Sequence, residues 1–266
     1  MAVDSQLDSK LDVLVAELRR LERVVVAFSG GADSAFLASV AHRTLGEHAH
    51  AVTAVSPSLA GDEEADCRAL ASEWGLHWTP VATQEMERAA YRMNDTDRCF
   101  HCKAELMEVV GPIALADDAT VVLGVNLDDL REHRPGQRAA IDAGAAFPLV
   151  TSGFSKADIR ALSSNLGLRT WDKPAMACLA SRVPYGTEVS VSLLTQLDRA
   201  ESALRHLGFG QLRVRHYGDT ARLEVPVDDF AAVLAQRDAV VNAIRDQGYR
   251  YVTLDLEGFR SGNLNS

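Results

Sequence analysis

The chain has 266 residues, 47% hydrophobic and 24% charged, which is enough for one large domain or two modest ones with a real core. Lys and Arg number 27 against 37 Asp and Glu, and the net charge of −10 argues against an extended nucleic-acid face, so a small-molecule partner is expected. With 18 Gly and 8 Pro the composition excludes collagen-like and disordered classes.

In chain order, Leu11, Leu14, Leu18 and Leu21 recur at helical spacing and predict a helix over 9–22. Met1–Lys10 lacks the basic and apolar regions of a signal peptide, and no apolar stretch approaches the length of a membrane span. A cytoplasmic protein with no membrane partner is expected. Val24-Val25-Val26-Ala27-Phe28 reads as a strand, followed by a Gly-containing loop and a helix over 34–45. The alternation continues with strand 49–55, helix 62–74, strand 77–82, a loop holding Cys99 and Cys102, helix 103–116 and strand 120–125. Apolar strands alternating with helices predict a doubly wound α/β domain built on a parallel sheet.

Ser155 with Asp158 is a capping-box variant that opens a helix over 155–166, which Gly167 stops. After Pro184-Tyr185-Gly186 the pattern changes to helix 191–207, strands 211–216 and 221–225, helix 228–247 and strand 250–256. This predicts a smaller C-terminal α+β domain with an antiparallel element. The expected division is 1–186 and 187–266.

The string Ser29-Gly30-Gly31-Ala32-Asp33-Ser34, between a strand and a helix, has the chemistry of an anion cradle. Gly30 and Gly31 let backbone approach phosphate, the helix start donates N–H groups, and Ser29 and Ser34 add hydroxyls. Asp33 fits only as a loop-orienting or Mg²⁺-holding group. The bland alternative is a helix cap with two turn glycines. The Gly-Lys-Ser/Thr ending of a Walker A loop is missing. A second segment, Gly124-Val125-Asn126 with Asp128 and Asp129, lies at a strand's carboxyl end, where α/β folds place ligands. It reads as a Mg²⁺ or substrate-orienting group, or else as a solvated polar loop. Arg131, Arg134 and Pro135-Gly136 follow it.

The four cysteines are Cys67, Cys99, Cys102 and Cys178. In a reducing compartment, metal or catalytic roles outrank disulfides. Cys67 suits a buried position in helix 62–74. Cys99-Phe100-His101-Cys102 with Cys178 fits buried thiols, a zinc site completed by His101 or a carboxylate, or a three-thiolate [4Fe–4S] cluster. Spacing does not choose between the metal readings. Arg213 and Arg215, two apart on a strand, share a face and could chelate a phosphate; a solvated face is the alternative.

The loop string resembles the signature of the PP-loop ATP pyrophosphatases, which cleave ATP between the α and β phosphates. Asp97–Lys103, Arg134-Pro135-Gly136, Trp171–Arg182 with Pro184-Tyr185-Gly186, and Leu254–Gly262 resemble the ATP-dependent sulfur transferases of lactate racemase cofactor assembly, the LarE family. That likeness covers almost the whole chain from the loop onward. It implies ATP and Mg²⁺ as reactants and pyridinium-3,5-biscarboxylic acid mononucleotide as substrate. ATP adenylates a carboxylate, and sulfur displaces AMP on the way to a nickel-pincer cofactor.

The resemblance implies ATP binding by Ser29, Gly30, Gly31, Asp33, Ser34 and Gly124, with Cys178, Asp33, Asp128 and Glu201 catalytic. It implies substrate contacts at Ser181, Arg182, Arg213 and Arg215, and a place in the three-cysteine branch, whose Cys99, Cys102 and Cys178 would hold a [4Fe–4S] cluster. Other members instead sacrifice the cysteine matching Cys178. A sulfur donor such as a cysteine desulfurase or free sulfide, and a homo-oligomer (a hexamer in particular), complete the expectation. The rival readings are a tRNA thiolase, an amide- or nitrile-forming ligase, and a non-catalytic nucleotide sensor. His216 and Arg222 read as satisfied surface residues.

Overall fold

The computed structural model describes residues 2–131, 135–174 and 177–260, with the side chains of 2–4, 131 and 135 excepted. Arg134, Ala175, Met176, Ser261 and Gly262 of the motifs above lie outside the described residues. In chain order the first half runs α1 (Ala2–Leu21), β1 (Val24–Ala27), α2 (Ala32–Leu45), β2 (Ala49–Val55), α3 (Gly61–Trp74), β3 (His77–Ala82), α4 (Ala89–Arg92), α5 (Arg98–Ala116) and β4 (Thr120–Leu123). Then come α6 (Pro135–Asp142), α7 (Pro148–Thr151), α8 (Lys156–Asn165), α9 (Val191–His206), β5 (Arg213–Tyr217), β6 (Thr220–Glu224), α10 (Phe230–Ala235), α11 (Arg237–Arg245) and β7 (Tyr251–Leu254). They pack as two compact units. The first is Met1–Ser56, Glu63–Glu85 and Cys99–Met176; the second is Pro57–Asp62, Met86–Arg98 and Ala177–Ser266.

The first unit is built on a four-stranded parallel sheet of order β3-β2-β1-β4. Val24 pairs in register with Ala49 on one side and Thr120 on the other. Alternate side chains of β1 feed two cores, because successive strand residues point to opposite faces. Val24 and Val26 join Leu14 and Leu18 of α1, Phe36, Leu37 and Val40 of α2, and Ile159 and Leu162 of α8. Val25 joins Val52, Val121 and Leu123 with Met107, Val110 and Ala114 of α5. Burying each large aliphatic or aromatic chain contributes roughly 1.5–3 kcal/mol, so both faces must be covered. The doubly wound α/β class is what the molecule adopts. α8 opens with the expected capping box: Asp158 N–H donates to Ser155 Oγ (3.2 Å) and Ser155 N–H to Asp158 Oδ2 (2.8 Å). Lys10 Nζ, 2.6 Å from the same carboxylate, ties α1 to α8.

The second unit holds a three-stranded sheet of order β5-β6-β7, with β5 and β6 antiparallel and β6 and β7 parallel. Leu194, Leu197 and Leu204 of α9 are buried, as are Val214 and Leu223 of the sheet. Two earlier segments are stitched into this unit. Asn94 is fully buried, and its Nδ2 donates to the carbonyls of Pro184 (2.8 Å) and Thr187 (3.0 Å). Leu179 N–H donates to Ser58 O (2.9 Å), and Gly61 N–H reaches Asp198 Oδ1 (3.3 Å).

Two expectations are corrected. Cys99 and Cys102 stand in the first turn of α5, which begins at Arg98. The polar start of that turn hides it from apolar periodicity. The helix expected over 228–247 is two, α10 and α11, divided at Gln236 with φ −101° and ψ 21°.

Candidate functional site

The loop after β1 sits where β1 separates β2 on one side from β4 on the other, the switch point of an open α/β sheet. Gly31 is the extended N-cap of α2 (φ −73°, ψ 160°), so no side chain covers the helix start. The first-turn N–H groups of α2 have no acceptor within the helix and carry the positive end of its dipole. Asp33 stands in that first turn. The two serines shape the loop. Their Oγ atoms are 3.0 Å apart, Ser29 N–H donates to Ser34 Oγ (3.2 Å), and Ser34 Oγ donates to Gly31 O (3.2 Å).

Gly30 has φ +69°, and a Cβ placed on it would lie 2.8 Å from Cys67 Sγ and 3.8 Å from Lys173 Nζ. The loop therefore rests directly on the Cys67 thiol. That thiol is fully buried, and burial pushes its pKa up to about 11. Cys67 is thus a small packing group under the loop, kept as the neutral thiol.

At the end of β4, Gly124 meets the start of α2 so closely that a Cβ there would fall 2.8 Å from Ser34 N. Glycine here is a requirement of strand–helix packing, next to the loop it was expected to serve. Asn126 Oδ1 accepts the N–H groups of Asp128 (2.9 Å) and Asp129 (3.2 Å), while Asp129 Oδ2 accepts Asn126 N–H (3.1 Å). Asp128 is exposed, and one of its carboxylate oxygens accepts the Lys156 N–H at 2.8 Å.

On α5, Cys99 is exposed and Cys102 partly buried; spaced three apart, they lie on one helix face. Burial pushes the neighbouring Lys103 ammonium below the usual lysine range, and the charges of Cys102 and Cys99 oppose that shift. Among the described residues, no group of three or more His, Cys, Asp or Glu side chains converges as a metal site.

The second unit carries a buried charge network beside Cys178, which is exposed and N-caps the short 3₁₀ turn Leu179–Arg182. Every nitrogen of the Arg182 guanidinium is engaged. Nε and NH2 fork onto Glu201 (2.8 and 3.0 Å), while NH1 donates to Ala177 O (2.7 Å) and Ser181 Oγ (3.1 Å). Glu201 is completely buried and also accepts Arg205 NH2 (3.1 Å) and Val214 N–H (3.0 Å). Arg215 donates from Nε to Glu224 (2.6 Å) and from NH1 to Ser181 O (3.0 Å). Arg213 donates to Arg260 O (2.8 Å) and lies over the Phe259 ring at 4.3 Å. Buried Arg182, Arg213 and Arg215 thus face buried Glu201 and Glu224, and the cations are in excess. Burial first, then repulsion from Arg182 and Arg215, pushes the Arg213 pKa down. Such a cluster favours an anion that restores the balance.

No protein-family model matches the chain. Over 261 residues it is 37% identical to pyridinium-3,5-bisthiocarboxylic acid mononucleotide synthase of Lactiplantibacillus plantarum, spanning 97% of this chain and 95% of that protein. The chain belongs to that synthase's family. It is also 44% identical over 262 residues to an uncharacterized protein of Synechocystis sp., covering 97% and 98% of the two chains. With an uncharacterized protein of Methanocaldococcus jannaschii it shares 26% identity over 256 residues, 95% and 96% of the respective lengths.

For this member of the synthase family, the structure groups Ser29, Gly30, Gly31, Asp33, Ser34 and Gly124 around the start of α2, with Asp128 beyond the end of β4. It groups Cys178, Ser181, Arg182, Glu201, Arg213 and Arg215 in the second unit. His216 Nδ1 lies 3.2 Å from Tyr249 Oη, and Arg222 pairs with Glu224 (3.0 Å) and Asp255 (3.4 Å), while its buried Nε makes no hydrogen bond. Sequence reasoning gave no role to Lys173 or Glu224. The signal for Glu224 was available: a strand with alternating arginines is followed across a tight turn by a strand ending in glutamate, and Arg213 pairs with Glu224 in register.

Proposed function

We propose that this protein is an ATP-dependent sulfur transferase acting on pyridinium-3,5-biscarboxylic acid mononucleotide. It adenylates a substrate carboxylate and replaces oxygen with sulfur, toward the nickel-pincer nucleotide. The observation that carries this reading is the 37% identity to the named synthase over 97% of the chain.

A carboxylate is a poor electrophile because oxide would have to leave. In the first step a carboxylate oxygen attacks the α-phosphorus of ATP, and pyrophosphate departs. In the second, a sulfur nucleophile adds to the acyl carbon and AMP leaves with the original carboxylate oxygen. Ser29, Gly30, Gly31, Ser34 and the start of α2 hold the phosphates. Asp33 and Asp128, both hard oxygen donors, hold or orient Mg²⁺. Arg213, Arg215 and Ser181 grip the substrate's phosphate, in keeping with the excess of buried guanidinium. Arg182 and Glu201 have their polar atoms committed to one another and to nearby backbone, which favours a positioning role for the Cys178–Ser181 segment.

Cys99, Cys102 and Cys178 provide three thiols, the donor chemistry of a [4Fe–4S] cluster with one open iron. Cys99 and Cys102 lie three apart in the first turn of α5, a spacing that lets two thiols serve one metal centre. Bound there, the cluster would supply exchangeable sulfide from a desulfurase or free sulfide. No described helix is long and apolar enough to cross a membrane. The reading is of a cytoplasmic homo-oligomer acting on a small molecule, with no nucleic-acid partner.

The adenylation half is tested by isotope exchange between pyrophosphate and ATP. Exchange that requires the dicarboxylate nucleotide and is lost in Asp33→Asn is expected; exchange independent of that nucleotide would overturn the substrate assignment. The sulfur half is tested by anaerobic absorption with iron and sulfide analysis. A colourless, iron-free protein whose Cys178 becomes lighter by the mass of H₂S on turnover would replace the cluster with a sacrificial cysteine.

A further inference from the structure

The phosphate loop contains no Lys or Arg between Ser29 and Ser34, and it lacks the Lys that ends a Walker A loop. The loop itself offers a polyphosphate backbone N–H groups and serine hydroxyls but no side-chain cation. Among the described residues, Lys173, distant in sequence, is a cation that the fold brings there. Its Nζ stands 3.8 Å from where a Gly30 Cβ would be. The same Nζ is 2.9 Å from Glu63 Oε2 and 2.6 Å from Asp66 Oδ2, two carboxylates three apart on one face of α3.

The surroundings fix this ammonium in position. Lys173 N–H donates to Thr170 O (3.1 Å), and Arg160 donates to Lys173 O (3.2 Å), so the backbone beneath the side chain is held. Asp66 is shared with Arg169, whose NH2 lies 2.6 Å from Asp66 Oδ1, and Arg169 Nε is 2.9 Å from Glu73. The side chain is only 15% exposed. An ammonium carries three N–H donors. Glu63 and Asp66 take two, and one is left for a ligand.

We propose that Lys173 binds the pyrophosphate portion of the nucleotide at the loop, with Glu63 and Asp66 as positioning residues that aim it beside Gly30. This rests on the loop being the ATP site. It adds a cation contributed by a segment that the loop motif does not contain.

Two measurements test it. In calorimetric titrations of the folded full-length protein with inorganic pyrophosphate, Mg-ATP and AMP, Lys173→Met is expected to weaken pyrophosphate and ATP roughly tenfold to a hundredfold, the usual effect of losing a charged hydrogen bond. AMP should change less than about twofold, and Lys173→Arg should recover most of the loss, because charge is what matters. Equal weakening of AMP and pyrophosphate, or an arginine variant as weak as methionine, would reduce Lys173 to a structural staple and overturn the proposal. Amine labelling of the wild-type protein read by mass spectrometry keeps the question decidable if the methionine variant misfolds. Pyrophosphate should protect Lys173 and AMP should not, and equal labelling with and without pyrophosphate overturns it. Wild-type protein that binds neither ATP nor pyrophosphate sinks the loop assignment itself, a result distinct from either of these.

Discussion

At Gly30 two separate demands meet in one residue. Its φ of +69° is a conformation in which a side chain costs roughly 1–2 kcal/mol, and a Cβ would also run into Cys67 Sγ at 2.8 Å. Gly30→Ala is expected to lower the melting temperature and raise KM for ATP. Adding Cys67→Ala should return the part due to the clash and leave the part due to φ. Thermal melts and ATP titrations of the single and double variants check this; an alanine variant with unchanged KM for ATP would contradict it. The loop string was legible in the sequence because its parts are contiguous and strand, glycines and helix follow one another. Cys67 and Lys173 were not, because only the packing of α3 and the 168–174 turn against the loop brings them near Gly30. Arg182 and Glu201 were expected at the site, but their mutual saturation was not legible, since it depends on α9 lying beside the Cys178 segment.

At the scale of elements, Glu201 joins α9 to β5 and to the 3₁₀ turn after Cys178. Removing its carboxylate strands Arg182 and the Val214 N–H in a buried setting. Glu201→Ala is expected to cost about 3–5 kcal/mol, the range for breaking one side of a buried pair. Glu201→Gln, which keeps one acceptor, should lose less. Denaturant unfolding followed by fluorescence measures both, and a loss below about 1 kcal/mol for alanine would mean that the pair is not structural. The parallel strands were easily read, because β1 and β2 are short apolar runs whose limits coincide with turn residues. Element starts were harder. α5 opens on Arg98, Cys99, His101 and Cys102, which give no apolar period, and the four-residue α4 and α7 are too short to show one. The division at Gln236 leaves no Gly or Pro to mark it.

Across the whole molecule, two histidines set an acid limit on stability. His50 lies under His77 (ring centroids 4.0 Å) with Nε2 2.9 Å from Thr79 Oγ1, and burial pushes its pKa below the ordinary 6.5 despite the nearby Asp117. His216 is lowered by burial in the same direction. Between the folded and ordinary values the unfolded chain binds more protons, so stability is full above about pH 6.5 and falls as the pH drops through it. Urea midpoints should therefore be lower near pH 5.5 than near pH 7.5, and His50→Asn should flatten that slope. An unchanged midpoint would show that neither histidine resists protonation. In a chain of net charge −10, the second unit nonetheless buries Arg182, Arg213 and Arg215 together. The most direct test of the account is one anaerobic turnover with pyridinium-3,5-biscarboxylic acid mononucleotide, Mg-ATP and isotopically labelled sulfide, read by product mass. A product in which a labelled sulfur replaces a carboxylate oxygen, with AMP and pyrophosphate formed in equal amounts to it, is predicted. AMP and pyrophosphate formed with the substrate's mass unchanged, or labelled sulfur entering without ATP cleavage, would contradict it.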